Sequence, residues 1–160
     1  MAATGTYVLL LHVDDRTSVE VGALGDVELA PGRYVYVGSA FGSGGLRARL
    51  RRHLQVKKES PHWHVDYVRQ VSRLEGAWVS TANQHLECTW AGAVRERLPV
   101  DIPHSGVGAS DCDCPAHFYR VSTNCSTEDI GSVLKRGARL YKVDELRCEV
   151  TRPGGASAFT

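Results

Sequence analysis

The chain has 160 residues, of which 42% are hydrophobic and 23% are charged. This length fits one ordinary domain with its own hydrophobic core, and the composition excludes a disordered or fibrous chain. The formal net charge of +1 gives the molecule no general attraction to nucleic acid or to a membrane surface, so any electrostatic function must depend on local clusters of charge.

The N-terminal segment and the cysteine count indicate the cellular compartment. The sequence "MAATGTYVLLLHV" has no basic region and only a short apolar run, so we expect neither a signal peptide nor a membrane span. Five cysteines are an odd number, which excludes a fully paired set of disulfides within one chain. These observations predict a cytoplasmic protein with reduced thiols and no membrane partner.

Strand patterns dominate the N-terminal quarter of the chain. Residues 5–13 are continuously apolar, as in a strand that is buried on both faces. The alternating run at 18–24 predicts a strand that pairs with the first one as a hairpin, and residues 33–40 are expected to form a second core strand. We expect one of Tyr34 and Tyr36 to face the other side of the sheet.

Helical patterns alternate with strands in the rest of the chain. Leu46, Leu50 and Leu54 predict a helix, because their i, i+4, i+8 spacing places all three on one face. The later elements expected in chain order are a helix opening at Ser60 and Pro61, a strand at 74–80, a helix that follows Thr81 and Gln84 in capping-box spacing and ends near 98–99, a strand at 117–121 and a capped helix at 126–137.

This order of elements predicts an α+β fold with a small mixed or antiparallel central sheet flanked by helices. We expect a single domain over 1–149, with a core at about 5–98 and a C-terminal extension at about 99–149. Residues 150–160 are expected to be a flexible tail.

Cationic side chains are concentrated in the first helix and just after it. Arg49 and His53 are four residues apart and share a face beside the leucine stripe. A cation at the edge of a buried face adjoins a cleft, where its charge is less screened than in open water. Arg52 is expected to point to solvent. The residues expected to contact nucleic acid are Gly38, Ser39, Arg47, Arg51, Arg52, Lys57 and Lys58; for the arginines among them, an ordinary solvated helix face is the alternative.

A second group of reactive side chains lies in the sequence "DCDCPAH". Cys112, Cys114 and His117 are three ligands for a soft metal such as Zn²⁺, with Cys88 or His104 as a fourth. Two alternatives remain open at this point: buried thiols that act as small hydrophobic side chains, and a redox pair.

The sequence "HWHVDY" offers a third polar group. His62 and Asp66 are four residues apart, and such a pair can bind phosphate or support a carboxylate elsewhere. For His62 and His64 the alternative is a surface position near a helix cap. Trp63 is either a base-stacking residue or part of the core.

Four features in this order resemble the GIY-YIG nuclease superfamily. "GTY" at 5–7 and "YVG" at 36–38 stand for its two tripeptides, Arg49 and His53 follow on a helix, and Glu87 lies on a later helix. "GGLRARLRRH", "HWHVDY", "EC" at 87–88 and "SDCDCPAH" narrow the resemblance to the Uri-like branch. The 25 residues between Tyr7 and Arg33 imply an inserted hairpin relative to most members.

The resemblance implies catalytic roles for Tyr7, Tyr36, Arg49, His53 and Glu87. Tyr36 is the implied general base, and Tyr7 would orient water or phosphate. A free tyrosine has a pKa of about 10, so Tyr36 needs nearby cations that favour its phenolate. Arg49 suits phosphate because its guanidinium donates two parallel hydrogen bonds, and Glu87 would bind Mg²⁺ or Mn²⁺.

The resulting hypothesis is a metal-dependent endonuclease that hydrolyses DNA, with single-stranded or structured DNA as candidate substrates and repair or restriction as candidate contexts. One alternative is a nucleic-acid-binding domain without catalysis. The other is a zinc-dependent interaction or redox protein centred on Cys112, Cys114 and His117. The three hypotheses differ in whether the protein cleaves nucleic acid, binds it without cleavage, or does not bind it.

Overall fold

The computed structural model describes residues 3–56, 60–110, 112–153 and 157–159. The strands are β1 (Gly5–Val13), β2 (Thr17–Glu20), β3 (Asp26–Leu29), β4 (Gly32–Ala40), β5 (Arg73–Ser80), β6 (Val100–Asp101), β7 (Phe118–Val121) and β8 (Arg139–Lys142). The α-helices are α1 (Gly45–Leu54), α2 (His64–Arg69), α3 (Glu87–Arg97), α4 (Thr127–Ser132) and α5 (Val143–Thr151).

The central sheet has six strands in the order β6-β7-β4-β1-β5-β8. Every neighbouring pair in it is antiparallel. With helices on both faces of this sheet and a small separate hairpin, the fold class is α+β, as predicted.

The first strand is buried on both faces, as its apolar run predicts. Successive side chains of a strand point to opposite faces, so Tyr7 and Leu9 are alternate residues of one core cluster, while Val8 and Leu10 belong to the other. The first cluster takes in side chains of α1, α2 and α5, and the second takes in side chains of α3 and α4. The sheet therefore separates two cores.

The inserted hairpin exists, but it does not pair with the first strand. β2 pairs with β3 in a separate two-stranded sheet, from Thr17 opposite Leu29 to Glu20 opposite Asp26. The prediction that residues 18–24 pair with the first strand is therefore wrong. The physical reason is that β4 and β5 occupy both edges of β1, so β1 has no free hydrogen-bonding edge.

The C-terminal extension is part of the same sheet. β7 pairs with β4 on one side of the predicted core, and β8 pairs with β5 on the other side. Neither β8 nor α5 is among the elements predicted from the sequence. Strand pairing on both edges joins the predicted core and extension into one structural unit.

Two predicted helix starts are corrected. α2 begins at His64, not at Ser60, because the carboxylate of Asp66 accepts the backbone N–H groups of His62 and Trp63 at 2.8 and 3.0 Å and holds the preceding residues outside the helix. α3 begins at Glu87, after a turn in which the Ser80 hydroxyl accepts the N–H of residue 82 at 3.2 Å.

The expectation of a flexible tail is also corrected for the described residues. α5 continues to Thr151, and Phe159 is fully buried. The Phe159 carbonyl accepts the N–H of Ala3 at 3.0 Å, and its ring lies edge-on to Tyr141 with the centroids 5.2 Å apart. Phe159 packs into the core because its side chain is large and apolar.

Tyr34 and Tyr36 lie on the same face of β4, so the expectation that they face opposite sides is wrong. Both belong to one core cluster, because residues two apart in a strand share a face. No helix in the described part of the chain combines the length and the apolar character that a membrane crossing requires.

Candidate functional site

A cleft of about 460 Å³ lies where the end of β4, helix α1 and the start of α3 meet. Its lining residues are Tyr36, Gly38, Ser39, Phe41, Gly42, Arg49, His62, Trp63, His64, Glu87, Gly108 and Ser110. Three of the five predicted catalytic residues, Tyr36, Arg49 and Glu87, are in this set although they come from three different elements.

The other two predicted catalytic residues lie in the core and do not line the cleft. Tyr7 is fully buried, and its hydroxyl is 2.7 Å from Nε2 of His53, which is itself 1% exposed. Tyr7 stands opposite Gly38 in the β1–β4 ladder. A Cβ at position 38 would meet the Tyr7 ring at 2.6 Å, so only glycine allows this ring to cross the neighbouring strand.

Arg49 is held at the cleft by contacts with Trp63 and Ser39. Its guanidinium carbon lies 4.0 Å from the centre of the Trp63 ring, a cation–π distance. One guanidinium nitrogen donates to the Ser39 carbonyl at 3.1 Å. These contacts use one donor and one face of the guanidinium, so further N–H donors remain for a phosphate.

The other predicted arginines contact protein groups. Arg52 does not point to solvent: it donates to the buried carboxylate of Asp66 at 2.8 Å. Arg47 donates to the Val150 carbonyl at 3.0 Å, and Arg51 also donates to that carbonyl. Cations suit this position because the last carbonyls of a helix carry partial negative charge. Gly38 and Ser39 do line the cleft. Lys57 and Lys58 lie outside the described residues.

Glu87 is the first residue of α3 and the one carboxylate among the described residues that line the cleft. Its Oε2 accepts the Ser39 hydroxyl at 3.0 Å. Its Oε1 lies 3.0 Å from Nδ1 of His117. The side chain is 29% exposed, so this carboxylate is fixed at both oxygens and still reaches the cleft.

Four residues beside Glu87 form a compact set of metal ligands. The ligand atoms of Cys88, Cys112, Cys114 and His117 all lie within 4.8 Å of one another. In a tetrahedral zinc site with Zn–S bonds of about 2.3 Å, sulfur atoms are about 3.8 Å apart. The Cys88 and Cys112 sulfurs lie 3.8 and 3.4 Å from Nε2 of His117, so this cluster can hold a metal ion.

The two nitrogens of His117 have different surroundings. Nε2 faces the sulfurs, and Nδ1 faces Glu87. The ring is nearly buried, with 3% of its side chain exposed. Because a ligand nitrogen must be unprotonated, a metal on Nε2 leaves the ring proton on Nδ1, where it donates to the Glu87 carboxylate.

Two thiols of the cluster, Cys88 and Cys114, have raised pKa values. Cys88 is exposed as a residue, but its sulfur faces two other thiols. Burial of that sulfur, followed by hydrogen bonds with Cys114 and Cys112, raises the pKa of the Cys88 thiol to about 12. Burial also raises the pKa of the Cys114 thiol. A bound metal ion removes this obstacle, because a coordinated thiol loses its proton.

The loop before β7 forms one wall of both sites. Its backbone is closed by hydrogen bonds from Gly106 to the carbonyl of residue 115 at 2.7 Å and from His117 to the Val107 carbonyl at 2.8 Å. Gly108 has a φ of +76°, and a Cβ there would meet the Tyr36 ring at 2.8 Å. The loop therefore passes directly over Tyr36, which requires glycine at this position.

Phe41, Gly108 and Ser110 are cleft residues that the sequence interpretation misses. The glycines of the run "GVG" at 106–108 signal unusual backbone conformation, but a local pattern does not reveal which strand a loop will cross. Phe41 packs against His85 with the rings tilted and their centroids 4.1 Å apart, a contact between segments that are distant in sequence.

Burial sets the charge of the aromatic residues at the cleft. It raises the pKa of Tyr36 well above the usual value; Tyr7 and Glu87 act in the same direction, and Arg49 opposes them. Burial also raises the pKa of Tyr7, again against the effect of Arg49. Both phenols are therefore neutral near pH 7, because the effect of Arg49, which favours the phenolate of Tyr36, is smaller than the effect of burial.

His64 contributes a neutral ring to the cleft. Burial lowers its pKa, so the ring is uncharged near pH 7. The Gly108 N–H lies 3.0 Å from Nδ1, which therefore accepts, and the ring proton is on Nε2. His104, the other proposed fourth ligand, is not in the metal-ligating cluster and interacts with the adjacent Ser105 carbonyl.

The fold and the site together define an α+β protein with a polar cleft beside a Cys₃His metal-ligating cluster. The chain belongs to the family described as "Domain of unknown function DUF123", which it matches over residues 6–139. This match spans both the predicted core and most of the extension, including all four cluster residues. No curated protein and no solved structure matches the chain.

Proposed function

We propose that this protein is a metal-dependent endonuclease that hydrolyses DNA phosphodiester bonds in the cleft. One observation carries the proposal: Tyr36, Arg49 and Glu87 come from β4, α1 and α3 and line a single cavity. The GIY-YIG resemblance implies a phenol, a guanidinium and a carboxylate around one phosphate, and this cavity contains those three groups.

The proposed cofactor at Glu87 is Mg²⁺ or Mn²⁺. Each Glu87 oxygen carries one hydrogen bond, and a carboxylate oxygen offers two lone pairs, so both oxygens can still bind a cation. Mg²⁺ keeps several waters and commonly needs only one or two carboxylates. Glu87, the one carboxylate among the described residues that line the cleft, fits this requirement, and the bound ion would stabilise charge on the departing 3′ oxygen.

The residues of the chain supply the remaining chemistry. Arg49 would donate two hydrogen bonds to the phosphoryl oxygens, where negative charge increases during attack by water. Tyr36 would hold the attacking water and take its proton. Because burial keeps its phenol neutral, this base role requires added positive charge. The buried Tyr7–His53 pair would fix the positions of β1 and α1 beneath the cleft.

We also propose Zn²⁺ as the ion of the Cys₃His cluster. Three thiolates and one imidazole are soft donors that prefer zinc to magnesium. Four protein ligands leave no open position, as in structural zinc sites. The two proposed ions thus occupy different environments: oxygen ligands in the cleft, and sulfur and nitrogen ligands behind it.

The test is a cleavage panel with purified protein and Mg²⁺ or Mn²⁺. End-labelled single-stranded, duplex, branched and damaged DNA, plus RNA, are the substrates, and the expected products carry a 5′ phosphate. Tyr36→Phe and Glu87→Gln should each lower the rate at least about 100-fold. Tyr34→Phe on the same strand and Glu96→Gln on the same helix are matched controls. Undiminished cleavage by the first pair contradicts the assigned roles.

Binding of nucleic acid without cleavage is a second candidate function. The observation that favours it is the direction of the Tyr36 pKa, which burial raises away from the range of a general base. Binding that weakens with salt, in a protein that cleaves no substrate of the panel with either metal, would support this candidate. Zinc content without affinity for any nucleic acid would instead favour an interaction or redox protein centred on the cluster.

A further inference from the structure

Glu87 lies at the border of two cavities. Besides the cleft, it lines a second cavity of about 230 Å³ together with His85, Cys88, Gly108, Cys112 and His117. The carboxylate therefore belongs both to the proposed nuclease site and to the surroundings of the metal-ligating cluster. Neither site alone accounts for the contact of Glu87 with both cavities.

Building on the proposed function, we infer that the zinc centre positions Glu87: a zinc ion on Cys88, Cys112, Cys114 and His117 makes His117 a fixed hydrogen-bond donor to the carboxylate. The cleft thus acquires its metal-binding geometry only when the cluster is loaded. His117 is in this view a positioning residue for the proposed reaction, and the zinc ion does not touch the substrate.

Zinc determines how firmly the Nδ1 proton of His117 is directed at Glu87. With zinc on Nε2, the proton can only be on Nδ1, 3.0 Å from Oε1 of Glu87. Without zinc, only the weaker contacts with the Cys88 and Cys112 sulfurs hold Nε2, so the ring no longer fixes its Nδ1–H on Oε1. Partners of this kind typically change metal affinity by about 10- to 100-fold when they are removed.

The backbone of His117 keeps the ring in place for this role. Its carbonyl accepts the N–H of Val37 on β4 at 2.8 Å, and its own N–H donates to the Val107 carbonyl at 2.8 Å. Ser39 holds the second oxygen of Glu87 at 3.0 Å. The carboxylate is therefore clamped between β4 and the loop, and zinc determines one side of the clamp.

The first experiment measures zinc affinity by competition with a chromophoric chelator, without any nucleic acid. Glu87→Ala should weaken zinc binding by about 10- to 100-fold, although it changes none of the four ligands. Glu87→Gln keeps a neutral acceptor for Nδ1–H and should lose much less. Glu96→Ala, an exposed residue of the same helix, should bind zinc like the unaltered protein. Circular dichroism at saturating zinc checks that each variant is folded.

The second experiment measures Mn²⁺ binding by electron paramagnetic resonance, in which the signal of free Mn²⁺ decreases as the ion binds to the protein. Zinc-loaded protein should bind Mn²⁺ at least about 10-fold more tightly than zinc-depleted protein, and Glu87→Gln should abolish this binding while retaining zinc. If depletion unfolds the protein, the Ser39→Ala variant at full zinc loading provides the comparison, because it releases the other oxygen and should weaken Mn²⁺ binding without loss of zinc.

The outcomes separate this inference from the proposed function. A protein that binds no zinc, or a Glu87→Ala variant with unchanged zinc affinity, overturns the inference even if DNA is cleaved. Zinc affinity that depends on Glu87 supports the link even if the cleavage panel is negative, and in that case only the nuclease proposal fails. Equal Mn²⁺ affinity with and without zinc also overturns the inference.

Discussion

The cleft and the metal-ligating cluster are neighbours that share Glu87 but are built differently. The cleft takes its chemical groups from regular elements: Tyr36 from a strand, and Arg49 and Glu87 from helices. Most of the cluster comes from the irregular loop before β7, with Cys112 and Cys114 two residues apart. The cleft is therefore built on the core of the fold, whereas the cluster depends on contacts among its own residues.

The two sites therefore differ in what holds their residues in place. Strands and helices already place the cleft residues, so altering one side chain there should change chemistry and leave the fold intact. The loop has few buried apolar side chains of its own, Val107 and Ala116 being fully buried examples, and so it depends on cross-links. A metal ion that joins Cys88 on α3 to the loop supplies such a link. We therefore expect effects on stability at the cluster and effects on function at the cleft.

The largest expected effect is the loss of stability when the cluster cannot hold its ion. Cys112→Ser should lower the melting temperature of zinc-loaded protein by about 8–16 °C. The estimate assumes free zinc at about 1,000 times the dissociation constant, which is worth about 4 kcal/mol of unfolding free energy. Differential scanning calorimetry with and without added zinc measures the change.

The matched control for this prediction is Cys148→Ser. Cys148 is an exposed free cysteine of α5 and is not a member of the cluster. It should melt like the unaltered protein, both with and without zinc. Equal melting temperatures for Cys112→Ser and the unaltered protein at saturating zinc would mean that the cluster does not hold the loop, and the comparison between the two regions would lose its basis.

Arg49→Lys tests the opposite pattern at the cleft. Lysine keeps the charge but loses the paired donors, so cleavage should decrease by about 100- to 1,000-fold, or about 3–4 kcal/mol in the barrier. The melting temperature should change little, because half-buried Arg49 contacts Trp63 and Ser39 at the rim. Steady-state cleavage rates and calorimetry are the measurements. Arg147→Lys, at an exposed position of α5, is the control.

Arg49→Lys also has an outcome that contradicts the proposal. A variant that melts several degrees lower while it cleaves at the normal rate would make Arg49 a structural residue that braces Trp63. A variant with unchanged cleavage and unchanged melting would remove Arg49 from the site. Either result would leave the cleft without its phosphate-binding group.

Sequence patterns predict much of the fold because apolar periodicity reports burial directly. The run at 5–13 and the stripe at Leu46 and Leu50 identify a strand and a helix that are buried as expected. The pairing of the hairpin is not predictable in this way, because it depends on which edges of β1 are taken by segments far along the chain.

The cleft can be predicted from the sequence to a greater degree than the metal-ligating cluster. The resemblance points to Tyr36, Arg49 and Glu87 through motifs that lie on regular elements. The proximity of Cys88 to Cys112, and the contact of His117 with Glu87, arise from the path of a loop, and no local pattern specifies that path. Arg47, Arg51 and Arg52 show the same limit: composition marks them as cations, but only the fold reveals their carbonyl and carboxylate partners.

The smallest expected effect concerns two tyrosines on one face of β4. Tyr34 stacks on Phe118 with the ring centroids 5.1 Å apart and donates to the Ala30 carbonyl at 2.7 Å, whereas Tyr36 lines the cleft. Tyr34→Phe should cost about 1 kcal/mol of unfolding free energy at pH 7 through the lost hydrogen bond, and cleavage should be unchanged.

The pH dependence of the unfolding free energy tests the burial of Tyr34 a second time. Burial raises the pKa of Tyr34 above its unfolded value, with Arg120 opposing, so the neutral form is favoured by the fold. The resulting stability is fully present below about pH 10 and is lost as pH rises through the folded pKa. Urea unfolding between pH 7 and 11 should therefore show a shallower alkaline decline for Tyr34→Phe than for the unaltered protein. Parallel declines would mean that Tyr34 titrates equally in the folded and unfolded chains, and its burial would then not distinguish it from a solvent-exposed phenol.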